Sequence, residues 1–364
     1  MGKNNLKTVV VLGTGGTIAG TAASASDNTG YTAAQIGVAR LLEAVPGLKE
    51  SLQGHALHSE QVAQLDSKDM DFVTMARLAS RCLHFMAQDN VAGIVITHGT
   101  DTLEETAYFL HLLLASTPIS PGLSSHKPVV LTCAMRPATS SEADGPANVR
   151  DAVTVALDPQ AHGVLCVCAG DVHLAALVQK VHSHRLNAFS SGDVQPVGHV
   201  RASGQAAMAL VTWKGTTNPN YQEKQASASM EHARAAIELV ASIIQWPRVE
   251  IILSHAGATG ALVRTMLQAQ GDHKDGGKLQ GIIAAGTGNG TLQHDLQAAL
   301  LEAKAQGVAV VRSTRCHGGV TDTAYDALPS AGALPYAKAR IRMVLQLAGI
   351  KLAGIKLAEV SMLN

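Results

Sequence analysis

Val9-Val10-Val11-Leu12-Gly13-Thr14-Gly15-Gly16-Thr17-Ile18-Ala19-Gly20 is the stretch whose reading decides the fold. It begins as a short apolar run rich in β-branched residues, the pattern of a buried strand. It ends in glycines and threonines. Glycine lets a backbone turn sharply and lets a ligand approach it closely. In open α/β sheets, ligands bind beyond the carboxyl ends of the strands. The strand therefore delivers a hydroxyl, that of Thr17, to the expected ligand position.

Several readings of this glycine run compete. A dinucleotide fingerprint G-x-G-x-x-G fits at Gly13 and Gly15 but fails at Ile18. A phosphate loop is excluded, because no Gly-Lys-Ser or Gly-Lys-Thr follows. A turn threonine acting only as a local hydrogen-bonder is the plain alternative. A nucleophilic threonine on a strand-to-loop turn is the reading that the rest of the chain favours.

The 364 residues are 46% hydrophobic and 15% charged, with 28 Lys plus Arg against 28 Asp plus Glu. That length suggests two or three domains and supports a substantial core. A net charge of zero presents no basic field to nucleic acid and no polybasic segment to a membrane. No apolar run is long enough to cross a bilayer, and no signal core follows Met1, so a cytoplasmic location is expected. Cys82, Cys133, Cys166, Cys168 and Cys316 are odd in number and lack zinc-site spacing, so they are expected to be buried free thiols. The lean surface charge suits an oligomer.

Residues 21–29 contain only Ala, Ser, Thr, Asp and Asn and read as a mobile loop. Tyr31 follows in a chain that is only 3% aromatic. It is either an anchor for the loop or a phenol carried to the site on a lid. Ile36, Ala39, Leu42 and Val45 predict a helix stopped by Pro46-Gly47. Asp66 or Ser67 is expected to cap a helix running through Phe72, Met75, Ala76 and Ala79. The run Ile94-Val95-Ile96-Thr97-His98-Gly99-Thr100-Asp101-Thr102 is again a strand ending in Gly and Thr, and Thr102 with Glu105 suggests a capping box. Thr100 and Asp101 thus fall on the same sheet edge as Thr17.

Residues 128–134 and 163–169 read as further strands, and Asp144 opens a helix. Lys180 is either a solvated surface lysine or a cation held near Asp101. His182 and His184 lack acidic or Cys partners and read as surface residues rather than metal ligands. Residues 204–247 are expected to join an N-terminal catalytic α/β domain, 1–203, to a C-terminal α/β domain, 248–364. The latter shows strands at 250–254, 281–285 and 308–312 and a glycine loop, Gly286-Thr287-Gly288-Asn289-Gly290. Residues 347–351 recur at once as 352–356, which reads as an extension of a terminal helix. The expected fold class is α/β, with a larger N-terminal domain built on an open, mostly parallel sheet and a smaller C-terminal domain.

Four motifs, Gly13 with its following Thr-Gly-Gly-Thr-Ile-Ala-Gly, Ile96-Thr97-His98-Gly99-Thr100-Asp101-Thr102, Ala134-Met135-Arg136-Pro137 and the 286–290 loop, occur in one order along the chain. In content and order they resemble the bacterial-type, threonine-dependent L-asparaginases, the asparaginase/glutaminase family, over nearly the whole sequence. The resemblance implies hydrolysis of L-asparagine, with glutamine as a minor substrate, by a homotetramer of paired dimers without metal or organic cofactor. By position, Thr17 matches the family nucleophile and Tyr31 the lid tyrosine. Ser67 matches a residue binding the substrate α-carboxylate, with Lys68 beside it. Thr100, Asp101 and Lys180 match the second catalytic cluster, and Asp101 also faces the α-amino group. Asn289 matches a residue lent by the neighbouring subunit.

Two departures concern substrate selection. Lys68 stands where relatives commonly carry Gln, Glu or Ser. A short segment that often holds a glutamate in relatives is missing between about 321 and 325.

The chemistry implied is amide hydrolysis through an acyl-threonine, which needs a nucleophile, a proton acceptor and oxyanion donors. Backbone N–H groups of the glycine turns suit the last role. The base is open between Tyr31 and Lys180 acting through Thr100. A non-catalytic binder of amino acids or nucleotides on a doubly wound sheet is the rival from another class. Simple binding needs no second hydroxyl cluster, which argues for the enzyme.

Overall fold

The computed structural model describes residues 6–114, 127–202, 209–214, 230–269, 277–321 and 328–352. The chain divides into two compact units, Met1–Ala241 and Ser242–Asn364.

The first unit opens with β1 (Thr8–Gly15), a two-stranded hairpin of β2 (Thr21–Ala22) and β3 (Tyr31–Thr32), and short helices α1 (Val38–Glu43) and α2 (Leu48–Ser51). Then come β4 (Ala56–Leu65), α3 (Phe72–Met86), β5 (Val91–Thr97), α4 (Leu103–Leu114), β6 (Val129–Thr132), α5 (Gly145–Leu157) and β7 (Val164–Cys168). The unit continues with β8 (Asp171–Leu174), β9 (Gln179–Lys180), β10 (Phe189–Ser190), β11 (Gly198–Ala202) and β12 (Ala209–Trp213), and α6 (Met230–Ser242) runs up to the boundary between the units.

Eight strands form one sheet in the order β12-β11-β8-β7-β6-β5-β1-β4. β4, β1, β5, β6 and β7 are mutually parallel, and β8, β11 and β12 continue the sheet antiparallel. The mostly parallel architecture is the one expected. Its central strands are apolar on both faces, since Val9, Val10, Val11, Leu12, Ile94, Val95 and Ile96 are all buried. Val9, Val11, Val95, Val130, Leu165 and Val167 pack with α1, α2 and α5 on one face. Helices α3 and α4 pack together outside that cluster. The steps β5-α4-β6 and β6-α5-β7 move the same way across the sheet with helices on opposite faces. One of the two crossovers is therefore left-handed, against the usual rule.

Several local expectations are revised. The 21–29 tract supplies strand β2 at Thr21–Ala22 and then the turn that leads to β3, with the Asp27 Oδ1 atom accepting from the Thr29 and Gly30 N–H groups at 2.9 and 2.7 Å. Asp66 caps only a short 3₁₀ turn, Ser67–Asp69, whereas α3 is capped by Asp71, whose carboxylate accepts from Thr74 N at 2.7 Å. Strand β4 escaped the sequence reading because it is a polar edge strand, His58-Ser59-Glu60-Gln61, with little apolar alternation. Within 204–247, residues Ala209–Trp213 form the edge strand β12 and Met230–Ser242 the helix α6. Cys82, Cys133, Cys166 and Cys168 are buried, but Cys316 is exposed.

The second unit carries β13 (Arg248–Leu253), α7 (Ala261–Gln268), β14 (Leu279–Gly286), α8 (His294–Ala305), β15 (Ala309–Thr314) and α9 (Tyr336–Leu347). Its three strands are all parallel, in the order β13-β14-β15. Val263, Ile282, Ala284, Leu296, Ala299 and Leu300 are core members on the α7–α8 side. Helix α9 closes at Leu347, and Gly349 adopts a positive φ of 82°. The first copy of the repeated pentapeptide therefore ends the helix rather than lengthening it. Most of the second copy lies outside the described residues, as does the 322–325 part of the segment that departs from the family pattern.

Candidate active site

The sheet order β4-β1-β5-β6-β7 has a topological switch point. From β1 the chain first builds outward to β4 and then returns to add β5 on the other side. Such a reversal opens a crevice at the carboxyl ends of the two strands. The ends are level, since Gly13 pairs with Thr97, Thr97 with Thr132, and Thr132 with Val167. Thr17 leaves β1 four residues past Gly13 and Thr100 leaves β5 three past Thr97, so both emerge at the crevice.

The two turns interlock through backbone. Gly16 has φ 82°, and a Cβ there would meet Gly99 Cα and N at 2.3 Å. A Cβ on Gly99 would meet Ser67 Oγ at 2.4 Å and Gly16 Cα at 3.0 Å. Glycines at 16 and 99 thus let the β1 turn, the β5 turn and the Ser67 turn touch directly. Thr14 reinforces the junction, its buried hydroxyl donating to the Thr97 carbonyl at 3.0 Å. The sequence reading passed over Thr14, although a threonine inside a glycine run was a signal.

On one side of the junction, Thr17 Oγ1 lies 2.7 Å from Tyr31 Oη. Thr17 is buried in the 3₁₀ turn Thr17–Ala19. The start of α5 abuts that turn, since a Cβ on Gly145 would meet Ile18 Cγ1 at 2.9 Å. On the other side, Lys180 Nζ donates to Thr100 Oγ1 at 2.8 Å and to Asp101 Oδ1 at 2.6 Å. Strand β9 brings Lys180 there, paired to Phe189 and with its N–H donating to Glu104 Oε2 at 3.3 Å. Lys180 is therefore the held cation, not the surface residue. Glu104, at the first turn of α4, is a supporting group that the sequence reading did not single out. The Asp101 side chain is 52% exposed and that of Lys180 17%. An ion pair this open contributes little to stability, so folding alone does not account for it.

Ser67 is buried, and its Oγ accepts from Asp101 N at 3.2 Å while its carbonyl accepts from the Thr102 hydroxyl at 2.7 Å. Ser67 Oγ thus acts as an acceptor there, which leaves its own hydrogen to donate elsewhere. Lys68 is turned to its neighbours, with Nζ 2.8 Å from Asp66 Oδ2 and 3.1 Å from Asp69 Oδ2. Those bonds, Asp66 before Asp69, hold its ammonium above the usual lysine range. His98 is fully buried between β5 and this turn, its Nδ1 donating to the Gly99 carbonyl at 2.7 Å. Burial pushes it down to about 4, so it is neutral at pH 7.

Asn289 belongs to the second unit and is exposed there. Its turn is closed by Gly290 N to Thr287 O at 2.9 Å and by Arg312 Nη1 to Gly290 O at 3.0 Å. Among the described residues, no group of three or more His, Cys, Asp or Glu is arranged to hold a metal ion. No helix among them is long and apolar enough to cross a membrane.

A family model described as asparaginase, N-terminal, matches residues 8–211, and one described as glutaminase/asparaginase C-terminal domain matches 248–351. L-asparaginase 2 of Bacillus subtilis strain 168 is 35% identical over 351 residues, covering 95% of this chain and 84% of its own. Glutaminase-asparaginase of Pseudomonas fluorescens biotype A is 33% identical over 319 residues, covering 87% and 78%. The crystal structure of a probable cytoplasmic L-asparaginase from Campylobacter jejuni matches with a TM-score of 0.77 at 32% identity, over 94% of this chain and 95% of that one.

Proposed function

The chain belongs to the asparaginase family of amidohydrolases, and on that premise we propose that it hydrolyses L-asparagine to L-aspartate and ammonia, with glutamine a minor substrate. The observation that carries this reading is the 2.7 Å contact of Thr17 with Tyr31 at a crevice that also holds Lys180, Thr100 and Asp101. Thr17 Oγ attacks the side-chain amide carbon. Its proton passes to Tyr31 Oη as the phenol gives its own to the leaving nitrogen, so no free phenolate forms. The C–N bond breaks and ammonia departs, leaving a β-aspartyl ester on Thr17. Water then attacks the ester carbon, its proton returns to Thr17 Oγ, and aspartate is released. Backbone N–H groups of the glycine turns face the oxyanion.

Lys180 fixes Thr100 and Asp101 as the opposite wall of the crevice. Asp101, open to solvent, receives the α-ammonium, and the Ser67 hydroxyl donates to the α-carboxylate. Lys68 serves the same turn through its links to Asp66 and Asp69, and supplies no ammonium to the substrate while those links hold. Asn289 completes the site of a neighbouring subunit in a homotetramer of paired dimers. We place the enzyme in the cytoplasm, in keeping with the Campylobacter jejuni protein, although a Haemophilus influenzae relative at 33% identity is named as periplasmic.

The test is ammonia release by the purified protein from asparagine, with glutamine in parallel and Thr17→Ala as control. Asparagine is expected to be turned over faster than glutamine. Thr17→Ala is expected to lose about a thousandfold or more in kcat while remaining folded. Substantial turnover by the folded variant would remove Thr17 as nucleophile.

A further inference from the structure

The hairpin that carries Tyr31 cannot hold its own position. It has only two paired positions, Thr21 with Thr32 and Ala22 with Tyr31, and an isolated two-stranded ribbon is marginal in water. What it leans on is the loop 137–142 after β6. Ala138 N donates to the Gly20 carbonyl at 2.9 Å, and Ser141 N donates to the Ala25 carbonyl at 3.0 Å. The Thr139 hydroxyl accepts from Ala22 N at 2.8 Å, and the Ser140 hydroxyl donates to Asn28 Oδ1 at 2.7 Å. These contacts run along the hairpin from its base at Gly20 to Asn28 in its turn.

The loop is itself fixed to the sheet. Both oxygens of Asp144, the residue that opens α5, accept backbone N–H groups, from Met135 at 2.9 Å and Arg136 at 3.0 Å. Arg136 then ties the far end through Glu142, donating to its carbonyl at 3.0 Å and pairing with its carboxylate at 3.0 Å. Within the loop, Ser140 N donates to the Pro137 carbonyl at 2.9 Å. A rigid bracket thus grips a weak ribbon through small hydroxyl and amide groups, exposed at Thr139 and Ser141 and buried at Ser140. The exposed bonds exchange readily with water while the Ser140 bond is sheltered, so the grip can be released from its outer contacts and held by the inner one.

We propose that the loop 137–142 is a latch for the Tyr31 hairpin, and that Thr139 and Ser140 are positioning residues for the hydrolysis. They act through the hairpin by setting the fraction of molecules in which Tyr31 Oη reaches Thr17. The proposal rests on the reading of Tyr31 as the partner of Thr17 in catalysis, but its first test does not need substrate.

Hydrogen exchange is measured across residues 20–32 in the wild-type chain and in Thr139→Val combined with Ser140→Ala, with Asn28→Ala as the variant from the hairpin side. Both variants are expected to exchange about tenfold faster in 20–32, with β1 and β5 amides and Tm unchanged. In the asparagine assay, kcat/KM is expected to fall by a similar factor, and Thr139→Ser, which keeps the hydroxyl, is expected to restore it. Unchanged exchange of 20–32 in both folded variants overturns the latch, whatever the activity. Faster exchange with unaltered kcat and KM overturns the positioning role. Faster exchange in a protein whose wild type releases no ammonia from asparagine or glutamine would leave the latch standing and remove the proposed function instead.

Discussion

Thr17 and Thr100 are both strand-end threonines, yet their partners make them chemically different. Thr17 meets a phenol that can both take and give a proton. Thr100 meets an ammonium that is shared with a carboxylate. Replacing the ammonium by a thioether chain should therefore harm the chemical step more than binding. Lys180→Met is expected to lose about a hundredfold in kcat with KM changed only a few-fold, as read by steady-state ammonia release. His98 sets a second, pH-linked expectation. Its Nδ1 hydrogen is committed to Gly99, and among the described residues Nε2 has no hydrogen-bond partner in its buried place. Protonation would add an N–H with nothing to accept it. The folded value of about 4 lies below the ordinary 6.5, so the unfolded chain takes up the proton first. The stabilisation is complete above 6.5 and is lost as pH falls through about 4, by up to roughly 3 kcal/mol. Urea unfolding between pH 7 and 4.5 should show His98→Asn with a flatter dependence than the wild type. Equal slopes would mean that acid sensitivity arises elsewhere. At this scale Thr17, Thr100 and Asp101 were legible because hydroxyl and carboxylate residues interrupt glycine at the ends of apolar runs. Lys180 was legible only through the family resemblance, since its flanking sequence by itself fits a surface lysine equally well, and the structure brings it to Thr100 and Asp101 on a strand paired to Phe189.

Turns rather than strands carry the specificity of this fold. Gly16 and Gly163 both have positive φ, at 82° and 69°. At Gly16 a Cβ would strike the backbone of Gly99 at 2.3 Å, whereas at Gly163 it would meet nothing within 4 Å. Gly163→Ala should therefore cost only the backbone strain, about 1 kcal/mol. Gly16→Ala must also part the β1 and β5 turns, and a loss of more than about 3 kcal/mol is expected, with activity lost in whatever folds. Denaturation midpoints of the pair decide this, and similar losses would show that the two turns can separate freely. The strands β1, β5 and β7 and those of the second unit were readable from apolar runs. Strand β4 and the β2–β3 hairpin were not, because this edge strand and this short hairpin are polar and take their conformation from neighbours. The caps illustrate the same limit. Asp66 and Asp71 are equally good capping residues by type, and the choice of Asp71 for α3 depends on where the 3₁₀ turn ends.

At the scale of the whole molecule, the proposed sharing of Asn289 between subunits makes a sharp expectation. Thr17→Ala chains and Asn289→Ala chains are each expected to be inactive. Mixed after reversible dissociation, random pairing should restore about a quarter of wild-type sites, because each mixed dimer holds one site with both residues intact. No recovery, with mixed dimers demonstrated, would return Asn289 to the role of a turn residue. The α/β class, the two-part organisation and the placement of Thr17, Thr100 and Asp101 on one sheet edge follow from sequence alone. They rest on short-range rules, in which buried parallel strands are continuous apolar runs and glycine marks the turns that end them. Tertiary structure decided what stands opposite each of those residues. Tyr31 reaches Thr17 through a hairpin gripped by a loop more than a hundred residues away, and Lys180 reaches Thr100 from 80 positions along the chain. No local pattern encodes such contacts, because they depend on the order in which the strands join the sheet.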